Sequence, residues 1–559
     1  MKKFMIAPED GVRIGDQYDF SPLMGDLLER MVEGTQIQFM PGDYHFWPEK
    51  AKKRTLFISN TDSAEYPEKN IAMLLKEKKG ASIRGEQSTL FFHGNLMALS
   101  MIDCEDIQID GLTMTYVCPP LIDTRVASYA NFEGRGKAEI AVPNGYCCDV
   151  QAGAAYWAGE KSPYTGKAYW QGKNGLDLTQ HRRGDVVKRI EDRLFEDVAN
   201  VQWVDGKLNI EYTTEKDIRE GDGFQIRLTR RDASGIFLSC SKNITFSQVD
   251  IGFLYSMGVV SQFCDHISFS GVRFKAIGED RQSSSAADSL HFSSCGGKID
   301  IRDCEFSNSH DDSINIHGTY LKLESLDGNK IMVRYCHPQT QGFLPFFPGD
   351  ALQFVDAQSL LPVGQKQIVS DAKFLESADH AWIEITLEEK SDVLFSENIV
   401  VYNKSYQADI VIENNEFRSI PTRAILVSSA GKVEIRKNRF SAIEMAAIYI
   451  SADANEWYES GAVKDVLIEG NEFTRCQREI VWIDPRNAIY SKEKVHSNIT
   501  IRKNHIDALY SPVISVKSSA DVRIVENKVK LPKGKTGEKD LLKNCDSEVL
   551  CLENTFYEK

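Results

Sequence analysis

Hydrophobic residues recur along this chain in a short sequence motif that occurs nine times. Each copy starts with Ile or Val, and the residues two and seven positions later are also apolar, as in the segment 410–417. The starting residues are Ile107, Ile244, Ile267, Ile299, Ile410, Val433, Val466, Ile499 and Val522. Alternation with a period of two predicts a β-strand, and the later apolar position predicts a turn followed by a second strand.

The spacing of the copies indicates how these strands are arranged. Most starting residues are 23 or 32 to 33 residues apart, a period typical of solenoids. Five residues after the start, consecutive copies carry Asn415, Asn438, Asn471, Asn504 and Asn527. Asn tolerates the left-handed backbone of a corner, and stacked copies would align its amides in a ladder. A leucine-rich repeat has a similar period, but these copies are rich in Ile, Val and Phe. The sequence therefore predicts an all-β, right-handed parallel β-helix.

Two intervals between copies are too long for one turn of the solenoid. Ile107 to Ile244 spans 137 residues and Ile299 to Ile410 spans 111, and both intervals contain strand-like runs and a similar Gly-Asp phrase. We therefore expect two inserted, small β-barrel-like domains, at residues 116–235 and 320–405. The solenoid would then consist of residues 1–115, residues 236–319 with the candidate site, and residues 406–559.

Composition limits the partners of the chain. Its 66 Lys and Arg against 81 Asp and Glu give a net charge of −15, which disfavours nucleic acid and anionic membranes and argues weakly against a polyanionic substrate. The alternative is that this charge only keeps the protein soluble. No run of about 18 apolar residues occurs, so we expect no membrane span. The 12 cysteines include no C-x-x-C pair, so we expect no metal site.

Location and assembly are only weakly indicated. The chain becomes polar at Pro8 before a hydrophobic run long enough for a signal peptide has formed. We therefore expect a cytoplasmic protein, or an extracellular or periplasmic one if a signal peptide has been removed. A homodimer is one option for the assembly, because solenoid ends and protruding domains often make symmetric contacts.

Candidate chemistry is concentrated around three aspartates. Asp288 and Asp311 are 23 residues apart, which is the shorter repeat period, so they should lie in adjacent rungs about 4.8 Å apart. Together with Asp312 they form a cluster that is costly unless one carboxyl group is protonated, and a general acid requires such a raised pKa. Glycoside hydrolysis is the reaction class that most often needs this group. The alternative is that the Asp311-Asp312 pair only closes a turn.

Further polar residues accompany the cluster. We expect them to bind sugar hydroxyls or to hold the carboxylates; they are His291, His310, Asn315 and His317. Arg423 begins a rung that we expect two turns beyond the aspartate pair, and it either binds a sugar or forms a surface ion pair. Trp457 either stacks on a sugar ring or anchors a loop, and Glu459 is an alternative second carboxylate of the acid and base pair.

The segment from Ala287 to Phe292, followed by the segment from His310 to Thr319, resembles glycoside hydrolase family 110. The resemblance extends to residues 42–50, 58–60 and 455–463. It implies a β-helix with two inserted barrels and an exo-acting, inverting α-galactosidase without a cofactor. The implied substrate is a glycan with terminal α-1,3-linked galactose, of the linear or the blood-group-B type. The resemblance matches Asp288, Asp311 and Asp312 to the catalytic aspartates of the family.

The sequence leaves alternatives for the roles of the three aspartates and for the function of the protein. We assign Asp288 as the acid and the Asp311-Asp312 pair as base and orienting partner. An inverting glycosidase of the polygalacturonase type would show a similar cluster, but it would prefer a basic groove, and we expect few Lys or Arg near these aspartates. A carbohydrate-binding β-helix without turnover would have no reason to place three carboxylates around one rung interval.

Overall fold

A parallel β-helix runs through the computed structural model, which describes residues 2–191, 193–375 and 380–558. The fold class predicted from the repeat is confirmed, because successive copies pair in parallel and in register. The strands that start each rung belong to one sheet, the long sheet. Its strands are Lys3–Ile6, Val12–Ile14, Gln17–Asp19, Gln36–Phe39, Gly42–Phe46, Lys79–Phe92, Glu105–Tyr116, Lys242–Ser247, Asp250–Ile251, Asp265–Ser270, Arg273–Phe274, Gly296–Arg302, Glu305–Ser307, Asp409–Glu413, Glu416–Ile420, Val433–Arg436, Arg439–Ile443, Lys464–Glu469, Glu472–Thr474, His496–Arg502, His505–Asp507, Ser519–Val525, Lys528–Leu531, Val549–Leu552 and Thr555–Glu558.

A second sheet of the solenoid, the site sheet, carries the predicted functional residues. Its strands are Lys52–Thr55, Glu68–Lys76, Met97–Ile102, Ser234–Ser239, Met257–Gln262, Leu290–Ser293, Ile314–Thr319, Ile425–Ser428, Ile448–Ala452, Val481–Pro485, Ile514–Lys517 and Leu542–Cys545, with Glu459–Ser460 attached at the side. Except for the antiparallel pairs that Lys52–Thr55 and Glu459–Ser460 make, neighbouring strands of this sheet are parallel. Residues just before consecutive strands are therefore brought to one edge.

One hydrophobic core fills the space between the sheets. The apolar residue seven positions after each start points inward, and in neighbouring rungs these side chains stack. The rings of Phe417 and Phe440 lie 4.9 Å apart, and those of Phe440 and Phe473 lie 4.7 Å apart, with planes within 7° of parallel. Burial of each such ring contributes roughly 1.5–3 kcal/mol, so the stack accounts for much of the cohesion between rungs.

The predicted asparagine ladder is confirmed, and all five amides are buried. In each step one Asn donates from its backbone N–H and its Nδ2 to the Oδ1 of the next, at 2.9 to 3.0 Å, from Asn415 to Asn527. The ladder continues one rung further to Asn554. The corner itself was predicted one residue too late. Positive φ falls on the preceding residue, for example Lys437 at 54°, because the Asn side chain must point inward to reach its neighbours.

The first insertion leaves the solenoid after Tyr116 and returns at Ser234. Its larger sheet is antiparallel and consists of Leu121–Phe132, Arg135–Ala141, Leu178–Arg183, Val186–Ile190, Val198–Val204, Lys207–Tyr212 and Gly223–Arg227. A smaller sheet consists of Cys147–Gln151, Ala154–Ala158 and Gln171–Lys173. The larger sheet is open within the described residues, so this insertion is less barrel-like than expected.

The second insertion is a closed β-barrel. It follows directly on the site-sheet strand that ends at Thr319, and the solenoid resumes at Asp409. The barrel strands are Leu321–Asp327, Lys330–Arg334, Ala351–Asp356, Pro362–Phe374, Trp382–Leu387 and Ile399–Asn403. Both insertions therefore start or end close to the rungs that carry the candidate site.

Helical structure is sparse in the described part of the chain. It consists of the α-helices Ser21–Glu29 and Glu538–Leu541 and the 3-10 helices Pro48–Lys50 and Asp62–Ala64. Met24 and Leu28 of the first helix pack into the core of the solenoid. Across the described ranges, we find no helix with the length and apolar character needed to cross a membrane.

Candidate active site

The three predicted aspartates meet at one edge of the site sheet. Asp288 precedes the strand Leu290–Ser293, and Asp311 and Asp312 precede the strand Ile314–Thr319, which pairs with it in register. Each carboxylate has an oxygen within 4.8 Å of an oxygen of the other two. All three residues are buried and line one cavity. The repeat period therefore placed the aspartates correctly in adjacent rungs.

Arginines compensate the charge of this cluster. Arg189 and Arg231 approach Oδ2 of Asp311 at 2.9 and 2.7 Å. Arg423 donates to Asp312 from Nη2 to Oδ2 at 2.7 Å, from Nε to Oδ1 at 2.9 Å and from its backbone N–H to Oδ1 at 3.1 Å. The ion pairs with guanidinium groups offset the free-energy cost of burying these carboxylates.

The expectation that few basic residues lie near the aspartates is wrong. Arg189 belongs to the first insertion, on the strand Val186–Ile190, and Arg231 lies where the chain returns from that insertion to the solenoid. Both are far from Asp311 in sequence, by 122 and 80 residues. The repeat pattern carries no information on where an inserted domain folds back, so sequence spacing missed them.

The three carboxyl groups differ in their proton affinity. Burial and, less strongly, the neighbouring charge of Asp311 together raise the pKa of Asp288 to about 7. Burial also raises the pKa of Asp312 to about 6, although Arg423 opposes the shift. Burial would raise the pKa of Asp311 as well, but Arg189 and Arg231 hold it far below its usual value. Near pH 7, Asp311 and Asp312 are therefore ionised while a large fraction of Asp288 keeps its proton.

Two histidines fix the proton on Asp288. Nδ1 of His291 lies 2.8 Å from Oδ2 of Asp288, and its Nε2 lies 2.9 Å from Nε2 of His317, whose Nδ1 lies 2.7 Å from the carbonyl oxygen of Gly318. Burial lowers the pKa of His291 to about 4 and lowers that of His317, so both rings are neutral. A carbonyl only accepts, so His317 donates from Nδ1 and accepts at Nε2 from His291. Nδ1 of His291 is then an acceptor, and Asp288 must donate to it.

Of the two roles predicted for His291 and His317, the structure shows the one in which they hold a carboxyl group. Both are buried behind Asp288, to which His291 is hydrogen-bonded, and neither lines the cavity. His310 is fully buried, and its ring nitrogens meet Nε of Arg227 at 3.2 Å and Oγ of Ser283 at 3.3 Å. Its interpretation as a substrate-binding residue is corrected, because the ring points into the contact between the solenoid and the first insertion.

Glu459 and Asn315 reach the cavity from opposite strands. Glu459 lies on the short strand Glu459–Ser460, which pairs antiparallel with Gly318–Thr319. Its Oε1 accepts from Nδ2 of Asn315 at 3.3 Å and from Nδ2 of Asn60 at 3.2 Å. In the described part of the chain, the buried Oδ1 of Asn315 and the buried Oγ of Ser428 have no hydrogen-bond partner, although both residues line the cavity. They are therefore free to bond to a ligand.

The rim of the cavity contains an aromatic wall. Trp457 lines the cavity with 39% of its surface exposed, and its ring stacks on His337 of the second insertion with centroids 4.4 Å apart. Asp453 holds the loop by accepting from the backbone N–H of Trp457 at 3.0 Å. Further lining residues that the sequence did not indicate are Asn60, Arg231, Leu426, Ser428, Tyr449, Ser451, Asp453, Glu456 and Arg486.

The chain is thus a β-helix protein in which arginines surround a cluster of three buried aspartates. Two family models match it in part. One is described as GLAA-B beta-barrel domain II and matches residues 330–393, inside the second insertion. The other is described as Right handed beta helix region and matches residues 397–537, which confirms the predicted handedness.

Similarity to named proteins identifies the family to which the chain belongs. Alpha-1,3-galactosidase A of Streptomyces avermitilis is 34% identical over 89% of this chain and 82% of its own length. Alpha-1,3-galactosidase A of Akkermansia muciniphila is 32% identical over 89% of this chain and 83% of its own length. The family 28 exopolygalacturonase of Yersinia enterocolitica is 9% identical with a TM-score of 0.40, over 100% of this chain and 78% of its own. The chain belongs to the family of the α-1,3-galactosidases, glycoside hydrolase family 110.

Proposed function

We propose that the chain removes terminal α-1,3-linked galactose from glycans by acid and base hydrolysis with inversion at the anomeric carbon. The observation that carries the proposal is Asp288, a buried acid with a pKa near 7, beside two carboxylates that arginines keep ionised. Hydrolysis of a glycosidic bond requires a protonated acid and an ionised base in one cavity. The names of the relatives supply the sugar and the linkage.

Asp288 is the proposed acid. Its proton, shared with Nδ1 of His291, passes to the glycosidic oxygen as the bond to the anomeric carbon breaks. Until the bond breaks, the proton stays on Asp288 and does not move to His291 or His317, because burial lowers the pKa of both histidines. The acid is therefore recharged from solvent after each turnover and needs no cofactor.

Asp311 and Asp312 are the proposed base and its orienting partner. Two carboxylate oxygens up to 4.8 Å apart hold a single water between them, since two hydrogen bonds of about 2.7 Å at an angle of about 120° span about 4.7 Å. One ionised aspartate removes the proton as the water attacks, and the other aligns it. An oxygen of Asp288, the proposed acid, also lies within 4.8 Å of an oxygen of Asp311 and of Asp312. This distance between acid and base is shorter than the usual separation of about 6.5–9.5 Å in inverting enzymes and nearer to that of retaining ones.

The arginines favour inversion despite this spacing. A retaining enzyme needs a carboxylate oxygen free to bond to the anomeric carbon. Both oxygens of Asp312 accept hydrogen bonds from Arg423, and the shortest contacts of Arg189 and Arg231 with Asp311 fall on Oδ2. Such ion pairs lower the nucleophilicity of both carboxylates, including that of Oδ1 of Asp311, but Oδ1 can still accept a hydrogen bond from a water.

A uronate substrate fits the cavity poorly. The charged lining residues are six acids and three arginines, and each arginine already pairs with an acid. A further carboxylate would therefore enter a negative cavity. A neutral galactose instead offers hydroxyl groups to the unpaired Oδ1 of Asn315 and Oγ of Ser428, and an apolar face to Trp457.

Release of the terminal sugar tests the proposal on three substrates: galactose from a linear Galα1,3Gal disaccharide and from the branched blood-group B trisaccharide, and galacturonate from polygalacturonate. We expect galactose from at least one of the first two, and their ratio reports how open the cavity is beside the leaving group. Cleavage of polygalacturonate alone would replace the substrate class and keep the aspartate site. Binding of the galactosides without any turnover would favour a carbohydrate-binding protein.

A further inference from the structure

A second cavity lies between the first insertion and the solenoid, and it shares no lining residue with the aspartate cavity. It has a volume of about 390 Å³. Its walls come from the strands around Arg125 and Arg182, from the segment that ends at Gln282, and from the rungs that carry Asn308 and Arg418. Three separate parts of the chain therefore contribute to it.

The charge of this lining is opposite to that of the whole chain. Its charged side chains are Arg125, Arg182, Lys275, Arg281, Arg418 and Asp185, that is five positive groups against one negative group. The protein as a whole carries −15. Asp185 forms an ion pair at 2.9 Å with Arg475, which does not line the cavity, so Arg475 compensates part of this negative charge. The cavity lining is therefore positively charged although the protein as a whole is negatively charged.

Most of these guanidinium groups lack a carboxylate partner. Arg182 donates to the carbonyl oxygen of Gly184 and to Oδ1 of Asn308 at 2.9 and 2.8 Å, which are neutral acceptors. Arg281 likewise donates to neutral oxygens. Within the described ranges, the guanidinium groups of Arg125 and Arg418 form no hydrogen bond or ion pair, whereas Lys275 pairs with Glu305.

A buried acid beside the cavity, Asp123, offsets only part of its positive charge. Asp123 lies behind its wall and accepts hydrogen bonds from the backbone N–H of Gln282 at 2.9 Å and from Oγ of Ser283 at 2.7 Å. Burial lowers the pKa of Arg182, although Asp185 and Asp123 oppose the shift, and the charges of Arg418 and Arg125 lower it further. The cluster therefore repels itself, and an anion in the cavity would relieve this cost.

We propose that this cavity is a binding site for an oxyanion, with Arg125 and Arg418 as the principal donors. A planar guanidinium group presents two parallel N–H donors to a phosphate, sulfate or carboxylate group, and two such groups with open donors fit one oxyanion. The oxyanion is either a free ion or an acidic group on a glycan. The inference does not depend on the proposed hydrolysis, because the two cavities are separate.

Titration of the full chain with inorganic phosphate, inorganic sulfate and glucuronate tests this site. Calorimetry is done at low ionic strength, and sodium chloride of equal ionic strength serves as the background. We expect saturable binding of at least one probe, and an affinity at least about tenfold lower in Arg418→Gln, since a charge-assisted pair of hydrogen bonds is lost. Tighter binding of glucuronate than of the inorganic ions would identify a glycan acid as the ligand, and the reverse would identify a free anion.

A second readout separates binding from a structural role. Without anion, Arg418→Gln should melt at a higher temperature than the wild type, because one of several repelling charges is gone, and phosphate should stabilise only the wild type. Arg125→Gln, at an exposed position, provides the same comparison if Arg418→Gln does not fold. Arg439→Gln is the matched control, since this exposed arginine lies on the next rung and pairs with Glu416. Absence of saturable binding for all three probes, or equal binding by the wild type and both variants, would overturn the proposal.

Discussion

Asp288, Asp311 and Asp312 carry the same side chain in the same cavity, yet their neighbours give them different proton affinities. Asp311 faces two arginines and Asp312 faces one, whereas Asp288 faces a neutral histidine. The arginines hold the pKa of Asp311 far below its usual value, and Arg423 limits the rise that burial causes in the pKa of Asp312, whereas burial raises the pKa of Asp288 to about 7. The proposed roles of acid and base thus follow from the partners of each carboxyl group.

Replacement of the acid should depend on the leaving group. Asp288→Asn removes the proton donor, so galactose release from Galα1,3Gal should fall by about 10²–10⁴-fold. An aryl α-galactoside with a nitrophenol leaving group needs little protonation, so its hydrolysis should fall much less. Rates on both substrates measure the effect, and Asp521→Asn, an exposed residue of the long sheet, is the control. Equal losses on the two substrates would contradict the assignment of Asp288 as the acid.

The same substitution should stabilise the protein at high pH. The folded-state pKa of Asp288 is about 7, well above its unfolded value, so its contribution favours folding at low pH and is lost as the pH rises towards 7 and beyond. At pH 8 the wild type therefore carries a buried charge that Asp288→Asn lacks. We expect the variant to be more stable by up to about 4 kcal/mol at pH 8 and by little at pH 4. Denaturant unfolding at both pH values measures this difference, and a constant difference would contradict it.

At the scale of elements, repetition explains why so much could be predicted. Each rung repeats the same inward positions, so the period of Ile, Val and Phe was sufficient to predict the β-helix and the adjacency of Asp288 and Asp311. The Asn ladder followed from the same repeat. The corner at Lys437 was assigned one residue too late, because the alternation of side chains does not reveal which residue adopts positive φ.

Loss of one amide of the Asn ladder should lower the free energy of unfolding by more than a single hydrogen bond contributes. Asn471 accepts from the backbone N–H and Nδ2 of Asn438 and donates to Oδ1 of Asn504 and to the carbonyl oxygen of Ile435. Asn471→Ala leaves several buried groups without partners, each at a cost of about 1–3 kcal/mol. We expect destabilisation of at least about 2 kcal/mol, measured by denaturant unfolding. Asn398→Ala in an exposed loop should be near neutral, and equal effects of the two changes would contradict a role of the ladder.

At the scale of the whole molecule, the site is assembled from the solenoid and both insertions. The solenoid supplies the aspartates, the first insertion supplies Arg189, and the second supplies His337 against Trp457. Sequence repetition predicts contacts between rungs but not contacts between an insertion and a rung. For this reason Arg189 and Arg231 could not be predicted, and the position of His310 was misjudged. Asn60 lies in a solenoid loop before the first copy of the repeat, so the repeat did not predict it either.

The first insertion should tune the pH dependence of the enzyme. Arg189 helps to hold the pKa of Asp311 below its usual value, so Arg189→Gln should raise that pKa and move the acid limb of kcat/KM towards higher pH. The loss of activity should therefore be larger at pH 5 than at pH 7. The adjacent Lys188→Gln is a matched control, because Lys188 points instead to Glu444 at 3.5 Å. A uniform loss at all pH values would show that Arg189 acts only through folding.

In the proposed mechanism, Asp288 protonates the leaving oxygen while Asp311 and Asp312 activate water on the opposite face of the galactose ring. Proton NMR of the anomer that first forms from Galα1,3Gal tests this mechanism most directly. We expect β-galactose, followed by slow mutarotation to the equilibrium mixture. Initial α-galactose would contradict it, and would instead assign Asp311 or Asp312 as a covalent nucleophile.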